Sequence, residues 1–94
     1  MKIIWSSSAE KTLDDISVYY LNSYGVNYGK KLINRIIDAV EIIKDNVQIG
    51  KRTSRANVRF IIRGNYSIYY RVSKSDILIL TIWDNRRNPK QFKI

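Results

Sequence analysis

The sequence contains no cysteine and no histidine. Without cysteine the chain has no disulfide bond, no thiolate metal site and no thiol nucleophile. Without histidine it has no imidazole general base, and the residues that remain are a poor set of zinc ligands. We therefore predict neither a metal site nor a cofactor.

Long hydrophobic runs are also absent. The apolar start of the chain, Met1–Trp5, gives way at once to three serines, and no signal peptide is recognisable. No apolar run approaches the length that a membrane-spanning helix requires. We expect a cytoplasmic protein without a membrane partner, and its 94 residues suffice for one domain, 1–94, with a modest core.

The charge is strongly positive and unevenly distributed. The chain has 17 Lys and Arg against 8 Asp and Glu, a formal net charge of +9. Residues 1–50 hold six basic and six acidic side chains, whereas residues 51–94 hold eleven and two. This excess predicts that one face or rim of the second half binds a polyanion or an acidic protein. The alternative is charge that serves solubility alone.

Two amphipathic helices are predicted in the first half. After a short strand, Lys2–Trp5, the serines Ser6–Ser8 offer an N-cap, and Ser7 has the capping-box spacing to Glu10. The first helix should end near Tyr24–Gly25, and a second follows with little gap. Apolar residues recur at helical spacing, at Ala9, Leu13, Ile16 and Tyr20 in the first helix and at Leu32, Ile33, Ile36, Ile37, Val40 and Ile43 in the second. The two stripes would form an antiparallel hairpin that covers one face of a sheet.

The segment Val47–Asn57 is predicted to be a loop. Its centre, Gly50–Arg55, combines a glycine with three basic residues and has no apolar side chain, which is typical of an exposed and mobile connection. Two interpretations stay open. The loop either contacts phosphate through Lys51, Arg52 and Arg55 or is a solvated connection.

Three consecutive strands are predicted between Val58 and Pro89. The first two are joined at Gly64–Asn65, where both residues tolerate positive φ, so a tight primed turn and an antiparallel hairpin follow. The third, Ile77–Trp83, is apolar except at Thr81 and should be an interior strand covered on both faces. The prediction is an α+β fold in the order β-α-α-β-β-β, an antiparallel sheet covered on one face by the helical hairpin.

Alternation along the middle strand separates its two faces. The more apolar row, which should face the helices, is Tyr66, Ile68, Tyr70 and Val72. The register of the hairpin puts Arg59 in that row, so it should lie near an edge or pair with Asp14 or Asp15. The opposite row, Val58, Phe60 and Ile62, is itself apolar. The second face should therefore be partly covered too, and a partner protein rather than this chain is the candidate for that cover.

No strong catalytic motif is present. The best constellation is Arg71 with Asp84, Asn85, Arg86 and Arg87, which the strands could bring to one end of the sheet. Arginines around a phosphodiester could hold it and stabilise the charge that develops during cleavage. The ribose 2′-hydroxyl of RNA could then act as nucleophile without a metal. The alternative is that Asp84 and Asn85 form a turn and pair with the neighbouring arginines.

The order strand, two helices, three strands and a basic tail resembles the RelE/ParE superfamily of toxins from type II toxin–antitoxin systems. The resemblance is carried by the opening KIIWSSSAEKTLDDI, the hairpin VRFIIRGNYSIYYRV and the exit ILILTIWDNRRNP, and it covers nearly the whole chain. It implies a small basic toxin that arrests growth and is neutralised by a cognate antitoxin. The implied antitoxin would cover the apolar row of Val58, Phe60 and Ile62.

The branches of this superfamily differ in their target. ParE-like members inhibit DNA gyrase, whereas RelE-like members cut messenger RNA on the ribosome. Ser67 stands where the ribonuclease branch usually has arginine, and only Arg86 and Arg87 match a basic position of that branch. The resemblance therefore favours a ParE-like inhibitor without catalysis, with a RelE-like ribonuclease and a non-toxic nucleic-acid-binding module as alternatives, so whether the chain is an enzyme stays open. The residues expected to bind the target are Lys51, Arg52, Arg55, Arg71, Arg86 and Arg87.

Overall fold

The structure, a computed structural model, describes residues 1–92 as one sheet packed against two helices. The helices are α1 (Ser7–Tyr24) and α2 (Val26–Asp45), and the strands are β1 (Lys2–Trp5), β2 (Lys51–Arg52), β3 (Val58–Arg63), β4 (Tyr66–Val72) and β5 (Asp76–Asp84). A 3₁₀ turn, Pro89–Gln91, follows β5. The predicted α+β class is confirmed, with β2 as an additional strand. Lys93 and Ile94, the last two residues of the predicted domain, lie outside the described residues.

The five strands form one sheet in the order β1-β5-β4-β3-β2. All neighbouring pairs are antiparallel except β1 and β5, which are parallel. The strand β5 is interior, as its nearly continuous apolar sequence predicted. Because α1 and α2 connect one edge strand, β1, to the other, β2, the helical hairpin crosses and covers one face of the sheet.

The segment predicted as a mobile loop, Val47–Asn57, contains an edge strand, so that prediction was wrong in part. Lys51 and Arg52 form β2 and pair with the middle of β3. Gly50 is buried, and its backbone N–H donates a hydrogen bond of 2.9 Å to the Tyr70 hydroxyl. The hydrophobic pattern did not reveal β2, because both of its residues are charged and its pairing depends on β3.

The β3–β4 hairpin turns at Gly64, as predicted. Arg63 and Tyr66 are the last paired residues, which leaves a two-residue connection. Gly64 has a φ of 58°, and within residues 1–92 the only non-glycine residue with positive φ is Asn57. The connection is therefore a primed turn with glycine at its first central position, the type that matches the twist of antiparallel strands.

The N-cap of α1 is Ser6 and not Ser7, which the capping-box spacing had favoured. The Ser6 hydroxyl oxygen accepts a hydrogen bond of 3.0 Å from the backbone N–H of Ala9 and donates one of 2.7 Å to the carbonyl of Leu80. Ser6 therefore caps the helix and ties it to β5 at the same time. The choice among the three serines depends on this tertiary contact, which helical spacing does not contain.

The core lies between the helical hairpin and the sheet. Its fully buried residues with less than 2% exposure include Tyr70, Ile36, Ile43, Ile68, Ile77 and Ile79. The predicted helix-facing row is confirmed, since Tyr66 is also buried and Val72 is half-buried. Ile37 is an exception to the predicted stripe of α2, with 41% exposure. Neither helix of the described part of the chain is long and apolar enough to cross a membrane.

The second face of the sheet is partly covered by the chain itself. Phe92, which follows the 3₁₀ turn, packs on Tyr69 and Trp83 with ring centroids 4.8 Å and 5.0 Å away. Phe60 stacks on Tyr69 at 5.1 Å. These four rings form an aromatic cluster over the middle of that face, as the apolar residues on it predicted. The coverage is incomplete within residues 1–92, because Ile62 on the same face remains 48% exposed.

Candidate functional site

The strand β5 ends in a carboxylate–guanidinium pair. Arg86 Nε donates to Asp84 Oδ1 at 2.9 Å, and Arg86 Nη2 donates to Asp84 Oδ2 at 2.8 Å. The backbone N–H of Arg86 also donates to Asp84 Oδ1 at 2.9 Å. The side-chain hydrogen bonds from Arg86 hold the pKa of the Asp84 carboxyl below its usual range. The pairing of Asp84 with a neighbouring arginine, one of the two predicted alternatives, is the arrangement found.

Two tyrosines from α1 and β4 lie behind this pair. Arg86 Nη2 donates to the Tyr20 hydroxyl oxygen at 3.5 Å, and the Tyr66 hydroxyl donates to the same oxygen at 3.4 Å. Burial raises the pKa of the Tyr66 phenol, and its hydrogen bond with Tyr20 raises it further. A phenol with a raised pKa stays protonated near neutral pH and is a poor general base. Tyr66 is therefore a poor proton acceptor, and Tyr20 helps to position the Arg86 guanidinium.

Arg87 is held separately from the pair. Its guanidinium carbon lies 5.2 Å from the centroid of the Trp83 ring, within the range of a cation–π interaction, and Nη2 donates to Gln91 Oε1 at 3.4 Å. An open cavity of about 430 Å³ lies beside it, lined by residues of α1, β4 and β5 together with Arg86 and Arg87. Arg87 has no carboxylate partner among the described residues.

The predicted constellation of Arg71 with Asp84, Arg86 and Arg87 is not formed. Asp84 pairs with Tyr66 at the start of β4, whereas Arg71 lies near the end of that strand and pairs with Leu78. Five residues of extended strand separate Arg71 from Tyr66, about 16 Å. The prediction was wrong because it did not include the register of β4 and β5, which puts Arg71 and Asp84 at opposite ends of the sheet. Arg71 and Asp84 are therefore too far apart to contact the same phosphodiester.

An arginine-lined cleft opens at the opposite end of β4. Its volume is about 530 Å³, and its basic residues are Arg52 of β2, Arg55 of the following loop and Arg59 of β3. We call it the arginine cleft. Its other walls include the valines Val47, Val58 and Val72 and the polar residues Thr53, Ser54 and Asn57. No Asp or Glu is among the described residues that line it.

Arg59 is the member of the cleft that sequence reasoning missed. Its Nη1 donates hydrogen bonds to the backbone carbonyls of Gln48 at 3.3 Å and Gly50 at 2.9 Å. It is half-buried in β3, directly beside the edge strand β2, which agrees with the predicted position near an edge. It has no ion pair with Asp14 or Asp15. The carbonyls that hold it belong to the segment that was treated as a mobile loop, so the sequence offered no signal for this partner.

The remaining predicted target-binding residue, Lys51, lies outside the arginine cleft. It lines a second groove, of about 330 Å³, with Ile49 and the residues Phe60–Arg63 of β3. In the predicted antitoxin-binding row, Phe60 is half-buried and Ile62 is exposed, but Val58 has only 4% exposure. Val58 is thus largely unavailable to a partner, and Ile49, with 46% exposure, extends the apolar surface instead.

A patch of exposed tyrosines at the tip of the helical hairpin was also missed. Tyr20 stacks on Tyr24 and Tyr28 with ring centroids 5.4 Å away in each case, and Tyr19 packs edge-on against Tyr20 at 5.0 Å. Tyr24 and Tyr28 are 60% and 53% exposed. The spacing of four residues between Tyr20 and Tyr24 was a usable signal, since such residues meet on one face of α1. Tyr28 lies on α2 and joins them through the turn of the helical hairpin.

A metal site is not formed by the described residues, in which no three His, Cys, Asp or Glu side chains come together. The chemistry on offer is therefore that of arginines. At the Asp84 end, one guanidinium is neutralised by a carboxylate. In the arginine cleft, the three guanidinium groups have no carboxylate partner within residues 1–92. The cleft can bind an anion, whereas the Asp84 end is mainly a structural clamp on the exit of β5.

Comparisons with known proteins agree with this architecture. A family model described as the ParE toxin of the type II toxin-antitoxin system parDE matches residues 3–89. Among solved structures, the chain is similar to one from the chromosomal ParDE TA system of P. aeruginosa, with a TM-score of 0.74 and 27% sequence identity. That similarity covers 87% of this chain and 92% of the other. No curated protein matches the chain significantly.

Proposed function

This chain belongs to the ParE toxin family of type II toxin–antitoxin systems, and on that premise we propose that it inhibits DNA gyrase without catalysis and that a cognate antitoxin neutralises it. Membership of the family makes it a toxin with an antitoxin partner. The gyrase target and the surfaces that carry out both interactions are the proposal.

The separation of the arginines supports a toxin without catalysis. A metal-independent ribonuclease needs several charged groups around one phosphodiester, including a proton acceptor. Here Arg71 lies at one end of β4, and Asp84 at the other is already occupied by Arg86 at 2.8 Å. Among the described residues, Asp84 is thus in an ion pair, with its pKa lowered, and is a weak base. Asp15, which lines the cavity beside Arg86 and Arg87, is paired with Lys11.

The groove along β3 supports an antitoxin-binding surface. Strand β2 pairs only with Arg59 and Phe60, so the backbone of Ile61–Arg63 on that side has no strand partner among the described residues. Ile62 and Ile49 expose apolar surface beside this edge, and Lys51 and Arg63 add positive charge. An extended acidic segment can pair with such an edge through its backbone and place apolar side chains in the groove.

Two assays on one preparation of the protein test the target. The first follows supercoiling of a relaxed plasmid by purified gyrase and ATP, and the second follows primer extension on a defined message in a purified translation reaction. We expect supercoiling to be inhibited and the message to stay intact. Ribosome-dependent cuts that disappear in Arg86→Ala or Arg87→Ala, with supercoiling unaffected, would establish the RelE-like alternative instead.

A further inference from the structure

The three arginines of the cleft are close together without an internal counter-ion. Arg52 and Arg59 are direct cross-strand partners in the β2–β3 pair. Like charges in directly opposite positions of an antiparallel pair destabilise a sheet. The two ion pairs found within residues 1–92 lie elsewhere, between Lys11 and Asp15 and between Arg86 and Asp84. An external anion is therefore the group that would relieve this repulsion.

The loop that carries Arg55 is held in a defined conformation by hydrogen bonds. The Thr53 hydroxyl donates to the carbonyl of Val58 at 3.0 Å and accepts from the backbone N–H of Arg55 at 3.1 Å. The carbonyl of Asn57, a residue with a φ of 62°, accepts a hydrogen bond of 3.0 Å from the N–H of Val72. The cleft is thus formed before a ligand arrives, which lowers the entropic cost of binding.

We propose that the arginine cleft binds the phosphate backbone of double-stranded DNA. Guanidinium groups hold phosphate oxygens in bidentate fashion, and hydroxyl and amide groups such as those of Ser54 and Asn57 are common further phosphate contacts. Arg71, which is exposed and pairs with Val58 at the margin of the cleft, extends the same basic surface.

The walls of the cleft favour a duplex over the other polyanions. No aromatic side chain is among the described residues that line it. Proteins that bind single strands usually stack bases on aromatic rings, so a cleft without them is suited to backbone contacts alone. An acidic peptide would need apolar anchors, but Val58 is buried and Val47 and Val72 are half-buried. The exposed apolar surface lies along β3 instead.

This inference deepens the proposed function and rests on it for its biological meaning. Gyrase acts on DNA, so a toxin that contacts both the enzyme and the bound duplex would recognise the enzyme–DNA complex better than either component alone. The binding of DNA by the cleft can nevertheless be measured without gyrase. The two proposals can therefore fail separately.

The experiment is a titration of a fluorescently labelled DNA duplex of about 20 base pairs with the full-length protein, followed by anisotropy at several salt concentrations. The cleft variant is Arg52→Gln with Arg55→Gln. The matched control is Lys30→Gln with Lys31→Gln, which removes two exposed charges from α2. All four residues are exposed, so both double variants should fold, and circular dichroism checks this.

We expect the cleft variant to bind the duplex at least about tenfold more weakly than the control and to lower the slope of log affinity against log salt by about 1.8, at about 0.9 for each lost phosphate contact. Equal losses in both variants would overturn the proposal, because binding would then follow net charge alone. Tighter binding of polyglutamate or of a single-stranded oligonucleotide than of the duplex would overturn it in favour of those ligands. If the cleft variant loses DNA binding yet inhibits supercoiling like wild type, the site binds DNA but has no part in the inhibition.

Discussion

Arg86 and Arg59 differ in what surrounds their charge. Arg86 has a bidentate partner in Asp84, whereas Arg59 is held only by the carbonyls of Gln48 and Gly50. A guanidinium with a carboxylate partner must break that pair before it binds another anion. A guanidinium held by neutral carbonyls alone has no anionic partner, so it can bind another anion without breaking an ion pair. The first arginine therefore stabilises the end of β5, and the second lines the cleft proposed to bind phosphate.

Gly50 is required by its close packing against Tyr70 and Phe60. A Cβ atom at this position would lie 2.5 Å from the Tyr70 hydroxyl and 2.9 Å from the carbonyl oxygen of Phe60. The hydroxyl is itself fixed, because it donates to the carbonyl of Val47 at 2.9 Å. We expect Gly50→Ala to lower the free energy of unfolding by about 1–3 kcal/mol, measured by urea denaturation.

Gly29→Ala is the matched control for Gly50→Ala. Gly29 is also buried, but the nearest atoms to an added Cβ belong to Leu21 and lie 3.4 Å away, an ordinary contact. Alanine in the interior of α2 should raise the free energy of unfolding by about 0.5–1 kcal/mol. If both variants unfold at the same urea concentration, the packing described around Gly50 is incorrect.

Asp84 links stability to pH. Its pKa is lowered in the folded state, chiefly by the hydrogen bonds from Arg86. A lowered folded-state pKa stabilises the protein above the unfolded pKa of about 3.9. The contribution is lost as the pH falls from there through the folded-state pKa. Because the side chain of Arg86 is 53% exposed, the contribution should be small, about 1 kcal/mol or less.

The test of this linkage is the variant Asp84→Asn. Urea denaturation at a series of pH values should show it less stable than wild type at pH 7, with the difference shrinking below about pH 4. A difference that stays constant down to the most acidic pH would mean that the ionised carboxylate is not its source.

At the scale of elements, the contact between α1 and β5 depends on Ser6. The Ser6 hydroxyl bonds to Leu80, which is the extra residue of a bulge in β5, since Tyr69 pairs with Thr81 and Tyr70 with Ile79. Ser6→Ala removes both a helix cap and the partner of a carbonyl, so we expect a loss of about 1–3 kcal/mol. Thermal and urea unfolding of Ser6→Ala and Ser7→Ala measure it. The free energy of unfolding of Ser7→Ala should stay within about 0.5 kcal/mol of wild type. Equal losses of stability in the two variants would contradict Ser6 as the N-cap.

The main elements could be predicted from local pattern. Period-two alternation and the Gly64 turn identify the β3–β4 hairpin, and the apolar run of β5 indicates an interior strand. Local pattern does not predict the features that depend on contacts between residues distant in the sequence. The strand β2 consists of two charged residues, and the choice of Ser6 depends on a carbonyl 74 residues away in the sequence.

The candidate site was less predictable than the fold for the same reason. The basic residues Arg52, Arg55, Arg86 and Arg87 were identified from composition and resemblance. Their grouping was not, because it depends on the register of β4, which separates Arg71 from Asp84. Arg59 was read as an awkward core residue because the carbonyls that bind it lie in a segment without any periodic pattern.

At the scale of the whole molecule, the two proposed binding surfaces differ in their chemistry. The arginine cleft lies at the Val72 end of β4 and is basic and polar, whereas the groove along β3 exposes Ile49 and Ile62. Both use the basic second half of the chain, which holds eleven of the 17 basic residues. An antitoxin on the groove could extend across β2 and cover the cleft, which would block the DNA contact as well.

The groove predicts how antitoxin binding responds to mutation. Ile62→Glu places a negative charge on the exposed edge of β3 and should weaken binding of the cognate antitoxin by about tenfold or more. Isothermal titration calorimetry measures this affinity. The control is Ile42→Glu on α2, where the residue is 38% exposed and should leave the affinity unchanged. Equal weakening by both variants would contradict an antitoxin site on the groove.

The most direct test of a toxin without catalysis is a titration of gyrase supercoiling against toxin concentration at a fixed amount of enzyme. An inhibitor that acts by binding should reach full inhibition only when the toxin is at least equimolar with gyrase, and adding antitoxin should restore supercoiling. Gyrase that keeps full activity at a large excess of the folded toxin would contradict the account. Loss of supercoiling at a small fraction of one toxin per enzyme would contradict it equally, because it would show turnover.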